Sequence, residues 1–432
     1  MMFFFGRDAG NVIRNVIVSL IYDTHQAELH TQHAQHHQLP SPPSLPPSPP
    51  LPPLPPMLSC YHTHHSLTTL SVGTVPMVRE PEDDEVVIQV HSSSLNPADY
   101  KSAQGEQKML LTFDWPRVIG FDFAGTVHQR GSGATKYEIG DPVFGMIQGL
   151  GQRDRGTLQE YVVVKEKVIA LKPSNITMAE AAAIPLVSIT AVMMCESAGL
   201  TQSAVQPSTA DAEAVPRIRV LILGGAGGVG VHAIQIAKQL FGATFVATTA
   251  SLGEKTELCR RVGADLVIDY RNQKFEIVLA NELPFDAVLD CTGEADKCIG
   301  LLKKGGGMTS ILAGPTSTAI KDWLAMSEWP KNKITTGVLP FLNSGCGGHL
   351  FGFFAGGHSL TKKCSKRNST FAHIIATGNG ENMSTIASLM KHEKLKAIID
   401  KEFPLVDAVD ALMYLKAGHC AGKVVVNIVP CE

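Results

Sequence analysis

The 432-residue chain is predicted to be an α/β protein, in which a small β-barrel or sandwich accompanies a doubly wound parallel sheet. Two observations predict this fold class. From about residue 84 to 170, short β-type runs are closely punctuated by glycine and proline, as in a small barrel. From 218 to about 313, apolar strands alternate with helix-period segments, which is the pattern of repeated βαβ units.

A tail of different composition, residues 1–56, precedes these regions. A histidine cluster there is followed by a proline run that ends at Pro56, and such a run favours polyproline II and builds no core. We expect the tail to be disordered and the globular part to begin at Met57. Metal binding by the histidines and docking of P-x-x-P to an SH3-type groove stay open as alternatives.

In the β-rich region, the strands are expected at Glu85–Val90, Phe123–Val127, Asp141–Met146 and Glu160–Val164. A helical stretch follows from about 178 to 194. The polar segment 201–216 is expected to be a surface loop.

The alternating region is expected to hold five strands, at Ile218–Leu223, Thr244–Thr249, Asp265–Asp269, Asp286–Asp290 and Met308–Leu312. The helices between them are expected at Val229–Leu240, Glu254–Val262, Lys274–Ala280 and Asp296–Lys303. Further on, we expect a strand near 397–399, a helix near 406–415 and a last strand at 423–428.

The turn between the first of these strands and its helix carries the motif G-x-G-x-x-G at Gly225, Gly227 and Gly230. Such glycines allow a tight turn, close approach of the backbone to a pyrophosphate, and packing of helix on strand. The phosphates then lie on the helix N-terminus. The turn is therefore predicted to bind a dinucleotide, with tight packing alone as the alternative.

The end of the second strand, residues 247–255, selects the cofactor. NAD binding favours an acidic side chain there, whereas this segment offers Ser251 and Lys255 to a 2′-phosphate. Two charge-assisted hydrogen bonds of about 1.5–3 kcal/mol each would favour NADPH. Glu254 opposes this choice unless it points to solvent, and Tyr270 is expected to flank the adenosine. The alternative is a polar loop with a solvated lysine.

Composition excludes several classes of protein. A net charge of -3 gives no field for nucleic acid or an anionic membrane. The nine cysteines form no C-x-x-C pair, which favours a reducing compartment. No apolar stretch reaches the roughly 20 residues that span a bilayer. We expect a cytoplasmic protein, with the mitochondrion as the alternative because 12–21 resembles a poorly formed presequence.

Over most of residues 57–432 the chain resembles the medium-chain dehydrogenase/reductase superfamily. The matching motifs are the glycine turn and segments 95–100, 118–126, 140–145, 156–161, 181–185, 263–270 and 422–426. The resemblance implies a GroES-like β-barrel catalytic domain interrupted by a Rossmann domain, with the active site between them. The implied boundaries are 57–185 for the first catalytic part, 186–335 for the Rossmann domain and 336–432 for the return to the catalytic domain.

Within the superfamily, the chain resembles the zinc-independent quinone oxidoreductase and enone reductase branch, which includes ζ-crystallin and the reticulon-interacting oxidoreductases. Zinc alcohol dehydrogenases have a cysteine ligand where this chain has Asn96, and Gly-His-Glu where it has Gly120–Asp122. The four cysteines of their structural zinc are also missing. Since zinc needs three or four ligands, no metal site is expected.

Without a Lewis acid, the expected reaction is NADPH-dependent reduction of a quinone or an α,β-unsaturated carbonyl, both of which accept hydride directly. The resemblance implies that Asn96 lies beside the nicotinamide. Tyr100 and Lys101 are candidates for contact with the substrate oxygen or for proton delivery. Surface positions for both are the alternative, and Lys423 is expected either to reach the cleft or to be solvated.

The remaining cofactor residues follow from the same resemblance. The backbone at Ala226, Gly227, Gly228 and Val229 is expected to meet the pyrophosphate. Thr249 joins Ser251, Lys255 and Tyr270 at the adenosine end, while Thr292, Gly293 and Ala313 are expected near the nicotinamide ribose.

Two other functions stay open. One is an NADPH-binding protein with little turnover that acts through partners, and the other is a mitochondrial 2-enoyl thioester reductase. A small-molecule substrate, a homodimer and no nucleic-acid partner are expected. The stretch 339–366 matches the family poorly, so the sequence leaves the substrate unidentified.

Overall fold

Two large sheets organise the part of the chain that this computed structural model describes: residues 57–105, 115–147, 156–202, 217–282, 284–312 and 359–429. All of them belong to one compact unit, Pro56–Glu432. The predicted disordered tail, most of the loop 201–216 and most of the poorly matching stretch 339–366 lie outside the described residues.

The first sheet is mainly antiparallel and has seven strands. Its members are β3 (Glu85–Leu95), β5 (Asp122–Arg130), β6 (Pro142–Met146), β7 (Tyr161–Lys165), β8 (Ile169–Leu171), β15 (Ile399–Pro404) and β16 (Lys423–Asn427). The order is β15-β16-β3-β5-β6-β8, and β7 also pairs with β3. A smaller sheet contains β1 (Met57–His62), β2 (Ser71–Val75) and β4 (Arg117–Val118).

Four helices accompany this part of the fold: α1 (Pro97–Ala103), α2 (Met178–Ala182), α3 (Pro185–Ser197) and α8 (Ala408–Lys416). Apolar side chains of β3, β5 and β16, among them Ile88, Phe123 and Val424, share one core with α8. The sheet therefore needs both early and late parts of the chain, because β3 pairs directly with β16.

The second sheet is parallel and has six strands. Its members are β9 (Ile218–Leu223), β10 (Ala243–Ala250), β11 (Leu266–Asp269), β12 (Phe285–Asp290), β13 (Leu302–Ser310) and β14 (Thr370–His373). The helices of this part are α4 (Gly228–Gln239), α5 (Glu254–Arg261), α6 (Phe275–Val278) and α7 (Gly380–Lys391). The order is β11-β10-β9-β12-β13-β14, with every neighbouring pair parallel.

This order places a topological switch point between β9 and β12, since the chain runs outward in opposite directions from these two strands. Ligands bind in the crevice at the carboxyl ends of strands at such a point. Separate apolar cores lie on the two faces of the sheet. The predicted doubly wound parallel sheet and the GroES-like part are thus confirmed.

Several element boundaries differ from the sequence prediction. The predicted helix at 296–303 is a short 3₁₀ turn, Ala295–Cys298, after which β13 begins at Leu302. The reason is tertiary, because Leu302 pairs with Phe285 and a Cβ on Gly307 would lie 2.1 Å from the Ala198 carbonyl oxygen.

Two late strands also differ from their expected places. The strand expected near 397–399 runs over Ile399–Pro404, where β16 offers it a partner. The sixth strand of the parallel sheet, Thr370–His373, lies within 336–432, the segment that the sequence assigned to the catalytic domain.

His232, on α4, is an ionisable side chain that is buried in the protein core. Its Nδ1 donates to the Gly228 carbonyl oxygen at 2.6 Å, and its side chain is fully inaccessible, at 0% exposure. Burial lowers the pKa of His232 from 6.5 to about 4. The folded state therefore binds the proton less tightly than the unfolded state, and stability present above about pH 6.5 is lost as the pH falls towards 4.

Replacing His232 by Asn keeps an N–H donor for the Gly228 carbonyl and removes the titration. Between pH 7 and pH 5 we expect the wild-type protein to lose about 2 kcal/mol more unfolding free energy than H232N. Urea unfolding at the two pH values measures the difference.

His392→Asn is the matched control, because His392 makes the same bond to the Ser388 carbonyl at 2.8 Å on an exposed surface. Equal pH dependence of H232N and wild type would contradict the assignment.

Candidate active site

The polar centre of the first sheet is a buried ion pair between Lys423 and Asp122. The two side chains are 2% and 0% exposed, and Nζ lies 3.2 Å from Oδ2. The same ammonium donates to Oδ1 of Asn96 at 2.5 Å, while Asn96 Nδ2 donates to Asp122 Oδ2 at 2.7 Å. The three side chains therefore close a ring of charge-assisted hydrogen bonds; we call them the Lys423 triad.

Asp122 also collects donors from other elements. The Ser94 hydroxyl of β3 donates to Oδ2 at 2.9 Å, and the Leu186 N–H in the first turn of α3 donates to Oδ1 at 2.7 Å. A buried carboxylate needs such partners, because an unpaired charge is costly to desolvate. Strands β3, β5 and β16 and helix α3 are thereby tied together at one carboxylate.

A second buried carboxylate, Asp99, fixes the backbone at Asn96. Its Oδ2 accepts the Asn96 N–H at 2.6 Å, and its Oδ1 accepts the Gly120 N–H at 3.0 Å. Burial raises the pKa of Asp99 to about 7, opposed by the hydrogen bond from Asn96 and assisted by the nearby charge of Asp122. Helix α1 therefore begins at a fixed point, with Pro97 in its first turn.

The glycine turn between β9 and α4 is packed too closely for side chains. A Cβ on Gly225 would lie 2.1 Å from Thr248 Oγ1, and one on Gly230 would lie 2.2 Å from the Gly224 carbonyl oxygen. Gly227, the exposed N-cap of α4, brings no side chain to the N–H groups of the first turn. These features fit the pyrophosphate of a dinucleotide.

Neighbouring strand ends support this turn. The Gly224 N–H donates to the Thr249 hydroxyl oxygen at 2.9 Å, so the predicted cofactor residue Thr249 holds the turn itself. After β12, the Asp290 carboxylate accepts the N–H groups of Thr292 and Gly293, each at 2.9 Å. A Cβ on Gly224 would lie 2.9 Å from Thr292 Cγ2, which brings these two loops together at the switch point.

The glycine turn also contacts the Lys423 triad. The Gly422 N–H donates to the Ala226 carbonyl oxygen at 3.1 Å, and Gly422 forms a parallel bridge with Gly227. A Cβ on Gly228 would lie 3.1 Å from Lys423 Cδ and 3.4 Å from Val187 Cγ1. The Lys423 side chain therefore runs from the N-terminus of α4 to Asn96.

Three of the predicted adenosine residues lie at or after the ends of β10 and β11. Ala250 pairs with Asp269 across β10 and β11, so Ser251 and Tyr270 follow on adjacent strands. Tyr270 is 53% exposed. Lys255 is half-buried in the first turn of α5, and Glu254 beside it is exposed to solvent.

The structure thus brings the glycine turn, Thr249 and Thr292 together, and places Asn96 beside them through Lys423. Tyr100 and Lys101 lie on α1, both half-buried. The solvated alternative for Lys423 is wrong, since its side chain is buried. Ala313 lies outside the described residues.

Sequence reasoning missed three carboxylates at the site: Asp99, Asp122 and Asp290. A signal existed for Asp99, because an acid three residues after Asn96 with Pro97 between them is typical of a helix start. Asp290 ends a predicted strand, where polar groups gather in parallel sheets. Nothing in the sequence pairs Asp122 with Lys423, which lies 301 residues away.

Comparisons with known proteins agree with this architecture. Residues 82–174 match the family described as alcohol dehydrogenase GroES-like domain, and residues 262–426 match the one described as zinc-binding dehydrogenase. Among solved structures, the quinone oxidoreductase from Coxiella burnetii superposes with a TM-score of 0.67 at 25% identity, over 87% of this chain and 100% of that one.

Three named relatives are similar in sequence. The 2-methylene-furan-3-one reductase of Solanum lycopersicum is 32% identical over 84% of this chain and 77% of its own length. The chloroplastic NADPH-dependent alkenal/one oxidoreductase of Arabidopsis thaliana is 31% identical over 82% and 75%. The human mitochondrial NAD(P)H oxidoreductase RTN4IP1 is 29% identical over 82% and 84%.

Fold and site together define an oxidoreductase that uses a nicotinamide dinucleotide, which confirms the predicted enzyme class and kind of cofactor. The chain belongs to the medium-chain dehydrogenase/reductase superfamily. Within the described residues, no helix is long and apolar enough to cross a membrane.

Replacing Gly225 by Ala tests the turn. Because the new Cβ would lie 2.1 Å from Thr248 Oγ1, the turn must open, and we expect NADPH binding to weaken about tenfold or more. Titration of NADPH fluorescence measures the affinity. Gly300→Ala is the control, since a Cβ there meets no atom within 4 Å; similar affinities for both variants would contradict the packing argument.

Proposed function

We propose that the protein is a zinc-independent, NADPH-dependent reductase of quinones or α,β-unsaturated carbonyl compounds. The observation that carries the proposal is the Lys423 ammonium held between Asn96 and Asp122, beside a glycine turn that fits a dinucleotide. This arrangement bears on whether the site can bind zinc, and the presence or absence of zinc determines which substrates the site can reduce.

The residues around Asn96 do not fit zinc, although one matching family is described as zinc-binding. Asn96 and Asp122 stand where zinc alcohol dehydrogenases, by resemblance, carry ligands. Here the Asn96 amide oxygen and both Asp122 oxygens accept hydrogen bonds, and Lys423 adds a positive charge. Within the described ranges, no three His, Cys, Asp or Glu side chains are grouped to hold a metal, and zinc needs three or four ligands.

A site with this donor set has no Lewis acid to activate an alcohol, so it suits substrates that are already electrophilic. Quinones and conjugated enones meet this condition. The bound nicotinamide supplies the hydride. The names of two relatives, a furanone reductase and an alkenal/one oxidoreductase, refer to carbonyl substrates of this kind.

The protein's own groups then orient the substrate. We assign Asn96 to the nicotinamide side of the cleft, where the Lys423 triad fixes its amide. Tyr100 and Lys101 follow on α1, where a cation or hydroxyl can contact the substrate oxygen or deliver a proton.

NADPH is proposed over NADH because of Ser251 and Lys255. Lys255 lies in the first turn of α5, where the helix dipole also favours an anion. A 2′-phosphate at this place would accept charge-assisted hydrogen bonds that NADH lacks.

Lys255→Ala is therefore expected to raise the KM for NADPH about tenfold or more, and to leave the KM for NADH within about twofold. Steady-state kinetics with both cofactors measures this. Arg261→Ala is the control, since Arg261 is an exposed cation at the other end of the same helix. Equal changes in the KM for NADPH and for NADH would contradict the proposed contact of Lys255 with the 2′-phosphate.

Reaction type is tested by NADPH oxidation at 340 nm, with 9,10-phenanthrenequinone and an alkyl vinyl ketone offered separately. We expect turnover with at least one of them and less than stoichiometric zinc in metal analysis of the same protein. Turnover that a chelator abolishes, or zinc at one ion per chain, would overturn zinc independence. Tight NADPH binding without turnover of either acceptor would overturn the proposed substrates and leave a thioester substrate or a partner-binding role.

A homodimer and the cellular compartment stay predictions. Relatives carry mitochondrial and chloroplastic names, so they favour an organelle as much as the cytoplasm. Equilibrium sedimentation of the purified protein and imaging of a tagged full chain test the two predictions.

A further inference from the structure

We propose that Lys423 is a positioning residue that sets the place of Asn96 relative to the bound cofactor. The proposal rests on the proposed function, because it assigns Asn96 to the nicotinamide side of the cleft. It concerns how the two halves of the site are held together.

The first observation is that consecutive residues hold opposite sides of the cleft. The Gly422 N–H bonds the Ala226 carbonyl of the glycine turn at 3.1 Å. The next residue, Lys423, directs its ammonium to Asn96 and Asp122 of the catalytic side. A shift of one side relative to the other must therefore break one of these bonds or move β16.

The local backbone supports this arrangement. Gly422 has a φ of +98°, and a Cβ there would lie 2.4 Å from the Ile398 carbonyl oxygen. The Lys423 N–H donates to the same carbonyl at 2.8 Å. The backbone at 422–423 is thus held against Ile398, immediately before β15, while the Gly422 N–H and the Lys423 side chain contact the two sides of the site.

The second observation is that, within the described residues, the hydrogen bonds of the Lys423 ammonium go to Asn96 and Asp122 on the catalytic side. Its aliphatic stem packs against Gly228, whereas Nζ bonds Asn96 at 2.5 Å and Asp122 at 3.2 Å. Loss of the charge should therefore disturb the Asn96 amide more than the pyrophosphate turn. This separates a positioning role from direct cofactor binding.

A third observation is the burial of all three members of the triad, at 2% exposure for Asn96 and Lys423 and 0% for Asp122. Removal of one charged partner leaves the other charge buried and unpaired, whereas removal of both charges leaves no buried charge but still deletes the donor to the Asn96 amide oxygen. Charge compensation and positioning can therefore be separated by a double substitution.

The experiment compares Lys423→Met, Asp122→Asn and the double variant, which is charge-balanced. We expect K423M to lower Tm and kcat together. In D122N/K423M, Tm should recover most of the loss, while kcat stays at least about tenfold below wild type and the NADPH Kd stays within about threefold. Lys172→Met is the control, because the Lys172 ammonium bonds the backbone carbonyls of Pro173 and Ile176 and is no member of the triad.

A second readout is independent of turnover. Bound NADPH changes its fluorescence intensity and anisotropy when its nicotinamide is held in a cleft. In the double variant we expect an unchanged Kd with reduced enhancement and anisotropy at saturation. If the wild-type protein reduced neither acceptor, the proposed function would fail, and this readout would still decide on Lys423.

Two results would overturn the proposal. Recovery of kcat together with Tm in the double variant would mean that the triad is only a structural ion pair. A rise in NADPH Kd that matches the fall in kcat/KM would mean that Lys423 acts in cofactor binding. If K423M alone does not fold, the double variant and D122N still give both readouts.

Discussion

The site depends on one buried ion pair, between Lys423 and Asp122. An ammonium and a carboxylate without solvent are stable only if further hydrogen bonds satisfy them, and here Ser94, Asn96 and the Leu186 N–H do so. The need for those partners draws β3, β5, β16 and the start of α3 to one point. The geometry around Asn96 is therefore a consequence of satisfying a buried charge.

Two further carboxylates near the site, those of Asp99 and Asp290, accept hydrogen bonds from backbone N–H groups. Asp99 accepts two N–H groups at the start of α1, and Asp290 accepts several in the loop after β12. Each occupies a position where a turning backbone leaves donors without partners. Asp99 and Asp290 therefore serve to hold the backbone of these loops in place.

Local sequence was sufficient to predict the parallel sheet, because β9 to β12 are apolar runs separated by helix-period segments. The glycine motif at the turn after β9 indicated dinucleotide binding. It was insufficient wherever the partner was distant. The helix predicted at 296–303 is replaced by β13 because Phe285 and Ala198 determine that backbone, and β15 is set by pairing with β16. Lys423 looked equally suited to solvent or cleft, since only the fold brings Asp122 to it.

The pairing of β3 with β16 has a consequence for how the molecule forms during synthesis. Ser94 lies opposite Val425, so the sheet next to Asn96 stays incomplete until residues 423–427 have been made. Strands β9 to β13 span only 218–310, and their contacts are local enough to form earlier. Most of the parallel sheet can thus form before the mainly antiparallel sheet is complete, and β16 both completes the latter and supplies Lys423, which contacts residues of both parts.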